Sequence, residues 1–434
     1  RLDCSISNWA EPCLAWASPN DSPSKAEVDI AVNPTDPLNV FVASKDLDPL
    51  ASPCVWAVAQ VTKDGGHTWN TTYVGGTRAE RQDPQHPMFA WNCVTDPIMA
   101  FDTEGRLYYS LQAYDARSEP GSAIFLATST DGGETFPEII QEHVGDGVAI
   151  FHDFMRMGTN PATGSVYTLW NQVTRIHSEP VMVASRDGGA SAAPPVYFLT
   201  PNVVPVLPGG LFESGIVADR DGTVYAAFGG PFSDGHVFLA TSTDDGRSFT
   251  FPAEVFTFTP MSQPSGASYR VGSIVEVAVD TSGGERDGCL YAAWADGGVQ
   301  GDPAELLLRS SCDGGATWSE PVTVNGRSPG AQFFPRVAVD GRGALHVVYF
   351  TQSYNEDDLL DAEWAVSTDG GTTWDHARLT TVSFDGNLGI HQDGGSFIGD
   401  YIGISAVGGD VWMGFPTTFT GRAEVAVAHA RLEA

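Results

Sequence analysis

Short apolar runs with a period of two dominate the chain. Val40–Ser44, Leu107–Gln112, Val166–Asn171 and Leu345–Phe350 are typical: rich in β-branched and aromatic residues, and followed within a few residues by Asp, Gly, Asn or Pro. Nowhere does a long stretch carry the 3.6-residue period of an amphipathic helix, and no run of 18 apolar residues could span a membrane. The runs fall into sets of four. The first strands of successive sets are predicted at Val28–Val32, Ile98–Phe101, Phe154–Gly158, Gly215–Ala218, Ile274–Val279 and Arg336–Val339. A last set, Ile402–Val407, Val411–Phe415 and Glu424–Ala430, is one strand short.

Between the third and fourth run of each set lies one recurring octapeptide. Ser129–Phe136 reads STDGGETF, Ser242–Phe249 STDDGRSF, Ser311–Trp318 SCDGGATW and Ser367–Trp374 STDGGTTW. Thr62–Trp69 (TKDGGHTW) replaces Ser by Thr, and Ser185–Ala192 (SRDGGASA) loses the aromatic residue. Successive aspartates, Asp64, Asp131, Asp187, Asp244, Asp313 and Asp369, are 56 to 69 residues apart, which marks a repeat array. The Asp carboxylate is expected to accept backbone N–H groups two residues on, the Gly to supply positive φ, and the aromatic ring to plug the turn.

Six such octapeptides in register resemble the Asp-box of the sialidase-like β-propeller superfamily. The resemblance runs along most of the chain. It implies an all-β fold of four-stranded antiparallel blades, in one domain over residues 1–434. In enzymes of that superfamily the Asp-boxes lie on the face away from the active site, so the repeated aspartates are structural. Six boxed sets plus the incomplete last set give seven blades if residues 1–27 supply the missing strand and close the ring. The sialidases have six blades, so six is the alternative count.

Charge changes the choice of partner. With 54 acidic and 22 basic residues the chain carries −32, which excludes nucleic acid as a natural ligand and leaves a glycan or a protein. No membrane association is expected, and the chain is read as a monomer. Acidity also suits structural calcium, for which Asp219 and Asp221 in the Asp219–Gly222 turn are candidates; no other cofactor and no catalytic metal is indicated. Six cysteines without a CxxC point to disulfides in an oxidising compartment. Of fifteen pairings, strand topology favours Cys289–Cys312, Cys54–Cys93 and Cys4–Cys13. The chain opens at Arg1 without a leader and is read as a mature, secreted protein.

Candidate chemistry gathers in the loops opposite the repeat turns. Arg156, Arg270 and Arg336 head the first strands of three sets, where converging guanidinium groups could trap a carboxylate; equally, each could pair with a neighbouring acid. The resemblance to sialidases implies three Arg on a substrate carboxylate, a Tyr nucleophile activated by a Glu, and an Asp as acid/base. Tyr401 matches the nucleophile, Glu213 its partner, and Asp153 or Asp29 the acid. The family's Phe-Arg-Ile-Pro start of the first blade is missing here. Tyr269 and Tyr354 are further substrate-binding candidates. A second reading makes His152 or His391, with Tyr401, the base and acid of a polysaccharide lyase that removes the C5 proton of a uronate. A third reading is a binding propeller without turnover.

Overall fold

A computed structural model describes residues 13–16, 24–46, 55–74, 84–114, 121–145, 150–174, 178–199, 211–229, 235–298, 304–327, 330–355, 358–392 and 395–432. Its fold is a seven-bladed β-propeller of four-stranded antiparallel sheets. In six blades the strands follow one another in chain order. The seventh is made from both ends of the chain: Gly403–Val407, Asp410–Thr417 and Glu424–Arg431 are joined by Cys13–Trp16, which pairs antiparallel with the last of them from Cys13↔His429 to Trp16↔Ala426. The strand missing from the last set thus comes from the N-terminal segment, and seven is the blade count.

Contacts divide the chain into two compact units. One comprises Arg1–Val32, Phe232–Val237 and Glu254–Ala434; the other comprises Asn33–Pro231 and Phe238–Ala253. In the first, a large core runs from Tyr291 and Leu308 through Tyr349, Phe350 and Trp364 to Met413 and Phe415. In the second, Tyr167, Leu169, Phe198, Ile216 and Phe228 form one cluster, and Met155, Trp170 and Val181 form another. No helix among the described residues is long and apolar enough to cross a membrane.

The repeat turns share one internal hydrogen-bond pattern and are also tied to a neighbouring blade, as where Asn39 Nδ2 donates to the Gly132 carbonyl at 3.0 Å. In each, the Ser or Thr two residues before the Asp accepts the N–H of the second Gly at 2.8–3.0 Å. The Asp accepts a backbone N–H four residues on at 2.9–3.0 Å, and the hydroxyl of that same Thr or Ser donates to its other oxygen. The bonded N–H is therefore four residues away, not two, and the motif's leading hydroxyl is part of the turn. The aromatic plug is real: Phe136 packs on Phe41 and Tyr109, and Trp318 on Phe256. The turn at Asp219 is local as well. Asp219 accepts the N–H groups of Asp221 and Thr223 and the Tyr225 hydroxyl, as Asp102 accepts those of Glu104, Arg106 and Tyr108.

Cys289 and Cys312 are bonded, with Cα atoms 4.2 Å apart, as strand topology anticipates. Cys93 is also disulfide-bonded; Cys54, the partner expected for it, lies outside the described residues, as does Cys4, and Cys13 is described in its backbone strand only.

Candidate functional site

Four blades begin with a shared irregularity. Glu27, Asp96, Phe154 and Phe334 adopt φ of 52°, 50°, 55° and 52° in the first strand of their blades. A left-handed conformation costs a non-glycine residue about 1–2 kcal/mol and persists where the surroundings impose it. At Asp96, Phe154 and Phe334 the strand register shifts across this residue, between Thr95 and Ile98, between Asp153 and Arg156, and between Phe333 and Arg336. Such bulges re-aim the side chains that follow. Two residues beyond each stand Asp29, Ile98, Arg156 and Arg336. The bulges also explain why these strands start earlier than their apolar alternation implies, at Cys93, Phe151 and Gln332.

In the first unit this device builds a charged cluster. Arg336 NH1 lies 2.9 Å from Glu276 Oε2, and its NH2 lies 3.6 Å from Asp29 Oδ1. Asp29 is 2% exposed and Glu276 5%. Burial works against the Arg336 charge, yet Glu276, then Asp29 and the Tyr401 phenol, outweigh it and raise the guanidinium's affinity for its proton. Tyr401 is buried. Two glycines place it: a Cβ on Gly399 would stand 2.5 Å from the Glu27 nitrogen, and one on Gly403 would stand 2.7 Å from the Ile30 nitrogen. The segment between them therefore lies backbone to backbone across the first strand of blade 1, Lys25–Val32, and sets Asp400 and Tyr401 beside Asp29.

Next to this cluster is a cavity of about 380 Å³ lined by Gln263, Ser268, Tyr269, Arg270, Ser396 and Phe397. Arg270 Nε lies 2.8 Å from Asp400 Oδ1, and a second nitrogen bonds the other Asp400 oxygen, so the fork is two-pronged. Its guanidinium carbon stands 5.2 Å from the Phe397 ring centre. Tyr269 is buried at the cavity wall, packed on Phe333, and burial raises its phenol pKa. Tyr354 lies with Arg327, Arg378 and Glu363, and burial, with Glu363 beside it, pushes it up to about 12.

The second unit holds the other candidates. Arg156 is 2% exposed; its Nε bonds the Ser214 carbonyl at 3.4 Å, its NH1 the Met155 carbonyl at 3.1 Å, and it lies over Phe154. Asp153 is half-buried on the same bulge. His152 is fully buried, with Nδ1 at 2.8 Å from Ser122 Oγ, Nε2 at 3.0 Å from His143 and its ring against Trp170. Burial, with His143 beside it, brings its pKa down to about 3. A ring so enclosed is placed for packing, not for reaching a sugar. Glu213 and His391 lie in the strands Phe212–Ala218 and Ile390–Gln392; their side chains are outside the described residues.

The structure brings Arg336 and Tyr401 together as anticipated, and Asp29 with them. It adds Glu276, which sequence reasoning passed over. The signal was present: Glu276 interrupts the apolar run Ile274–Val279, and a charge in a buried strand calls for a partner. Each described Arg of the three is engaged, Arg336 and Arg270 by acids and Arg156 by carbonyl groups.

No family model matches the sequence, and no curated protein matches it. Solved structures share the fold. A Hadza microbial sialidase is 16% identical with a TM-score of 0.51, over 91% of this chain and 76% of that one. An ulvan lyase of a polysaccharide lyase family is 10% identical with a TM-score of 0.52, over 94% of each chain. A protein of unknown function from Dyadobacter fermentans is 14% identical with a TM-score of 0.51, over 97% of this chain and 98% of that one.

Proposed function

We propose that the chain is a secreted carbohydrate-active enzyme, a glycoside hydrolase that cleaves a carboxylate-bearing glycan with Tyr401 as nucleophile. The observation that carries this reading is the Arg336 guanidinium held between Glu276 and Asp29 beside the Tyr401 phenol. In this role the Tyr401 oxygen bonds to the anomeric carbon as the glycosidic C–O bond breaks, Glu276 takes the phenolic proton, and the departing oxygen takes a proton from water; a second water then cleaves the glycosyl–tyrosine bond, and the phenol regains its proton from Glu276. A neutral phenol is a reasonable nucleophile where the anomeric carbon already bears a carboxylate, since a carboxylate nucleophile would meet like charge. Arg336 meets the substrate's negative charge, and Asp29 keeps its fork in place. Glu276 takes the part that the resemblance gave to Glu213. The Arg270 cavity next to Asp400 and Tyr401 has room for a sugar ring. Support for a glycan as substrate comes from the neighbours' printed activities, a sialidase and a lyase bound to a glucuronate–sulfated rhamnose chain.

Two substrate panels test this: sialosides, read by released sugar, and uronate polysaccharides, read by ultraviolet absorbance. Sugar release without absorbance is expected. Growth of absorbance would mean an unsaturated uronate and replace the hydrolase by a lyase, and silence with both panels would leave a binding propeller.

A further inference from the structure

Blade 6 carries a second polar cluster that the catalytic reading does not use. It lies at the end of the sheet where Gln332 begins the first strand, Thr351 ends the second and Asp361 begins the third, opposite the turn at Asp369. There the guanidinium carbons of Arg327 and Arg378 each stand 4.6 Å from the centre of the Tyr354 ring. Two cations on one ring are unexpected in a chain of net charge −32.

Their supports lie beneath them. Arg378 donates Nε and NH2 to Asp361 Oδ1 at 2.9 and 2.7 Å, and NH2 to Ser383 Oγ at 3.1 Å. Asp361 is fully buried and also accepts the Ser383 hydroxyl at 2.8 Å. Glu363, 1% exposed, accepts the Tyr349 hydroxyl at 2.8 Å and has His376 Nδ1 at 3.3 Å. Both carboxylates are thus consumed below the surface. Arg327 differs: it is exposed and makes no ion pair with any described residue. Its backbone is nevertheless fixed, since its carbonyl accepts Asn325 Nδ2 at 2.9 Å and Gln332 Nε2 at 3.4 Å. A guanidinium laid on an aromatic ring, above a tethered backbone, has lost much of its freedom before any ligand arrives, which lowers the cost of binding.

We propose that Arg327, Tyr354 and Arg378 form an accessory anion site that takes a sulfate or carboxylate group borne on a carbohydrate chain. Guanidinium groups match the flat, multi-oxygen edge of both anions through paired N–H donors. Asp361 orients Arg378, the Tyr354 ring supports Arg327, and the exposed N–H edges meet the ligand. The ligand class rests on the glycan reading above; the site itself needs no turnover.

Calorimetric titration at low salt tests it with three probes: a sulfated disaccharide, the same disaccharide without sulfate, and inorganic sulfate. The sulfated disaccharide should bind, weaken as salt rises, and lose at least about tenfold in affinity in Arg327→Ala, with Arg327→Lys intermediate. The unsulfated sugar should bind more weakly. Tyr401→Phe should keep this binding, so a failed catalytic assignment would leave the result intact. Equal affinity in Arg327→Ala and the natural chain would overturn the proposal, as would absence of binding to the natural chain. Sulfate bound and the disaccharide refused would overturn the assignment to a carbohydrate.

Discussion

At one end of the blades, each repeat turn carries the same bonds within eight residues: Ser129, Asp131, Gly133 and Thr135 bond one another, and the neighbouring blade adds Asn39 and Lys63 on the carbonyls of Gly132 and Asp131. At the other end, Arg336 draws on Asp29, Glu276 and Tyr401, which come from three other blades. The turns are exposed, their hydrogen bonds local and their aspartates fully charged. Hydrogen bonds from Ser248 hold Asp244, and those from Thr317 hold Asp313, down to about 2. The cluster is buried, and its charges are balanced only by long-range partners. Local chemistry repeats easily along a chain, so it marks the fold. Non-local chemistry is assembled once, so it marks the site.

The sharpest break in that comparison is at the site. Glu276→Gln keeps the shape and removes the base, so kcat should fall by at least about 10²–10⁴-fold while the protein stays folded. Tyr401→Phe should fall at least as far. Circular dichroism and thermal melting confirm folding; turnover on the substrate found above gives the loss. Full activity in Glu276→Gln would remove Glu276 from the chemistry, and full activity in Tyr401→Phe would remove Tyr401. The Arg336→Lys variant should weaken turnover strongly, because an ammonium cannot bond two carboxylates as the flat fork does.

The next test concerns a buried acid outside both regions. Glu142 is 7% exposed, with the Thr168 hydroxyl facing its carboxyl. It is the extra residue where His143 and Gln141 pair with Ile124 and Phe125. Burial pushes its carboxyl up to about 8, against the opposing pull of the Thr168 hydroxyl. A raised carboxyl favours folding only while it is neutral. Its contribution is therefore complete below about pH 4.5 and is lost as the pH climbs through 8. Glu142→Gln should match the natural chain in urea unfolding near pH 4.5 and exceed it by on the order of 3 kcal/mol near pH 8. A constant difference across that range would show that Glu142 is ionised in the fold.

How much of this was legible follows from the same contrast. The octapeptides fixed the blade sets because their bonds span four residues, within reach of a pattern read along the chain. The seventh blade followed from a missing strand, and Cys13–Trp16 fills it. Arg336 and Tyr401 were visible as polar heads of strands. Glu276 was not, because its role depends on Arg336, 60 residues away. His152 reads along the chain as a candidate lyase base with His391 and Tyr401, but its surroundings, His143, Ser122 and Trp170, come from other strands. The bulges at Asp96, Phe154 and Phe334 left no mark, since none of them is a glycine.

The smallest effect lies within the turns themselves, where one copy breaks the rule. In five copies the residue after the Asp is glycine at φ of 69–77°, and in the fourth it is Asp245 at 62°. A Cβ on Gly132 would run into Asn39 and Lys63, and one on Gly188 into Arg106. At Asp245 the neighbour surfaces are instead hydroxyls: Tyr167, Thr163 and Ser165 donate to its carboxylate at 2.7, 2.8 and 2.9 Å, and Arg186 Nε adds a contact at 3.1 Å. Asp245→Gly restores the repeat and relieves about 1 kcal/mol of backbone strain. It also strands the buried Tyr167 hydroxyl, at a cost of about 1–3 kcal/mol, together with the Arg186 charge. The net should be a loss of roughly 1–2 kcal/mol in urea unfolding, with turnover unchanged. Tyr167→Phe combined with Asp245→Gly should recover part of that loss, since the most deeply buried of the three donating hydroxyls is then gone. A stabilised single variant would mean that glycine is preferred at every turn and that the hydroxyls around Asp245 add nothing to the fold.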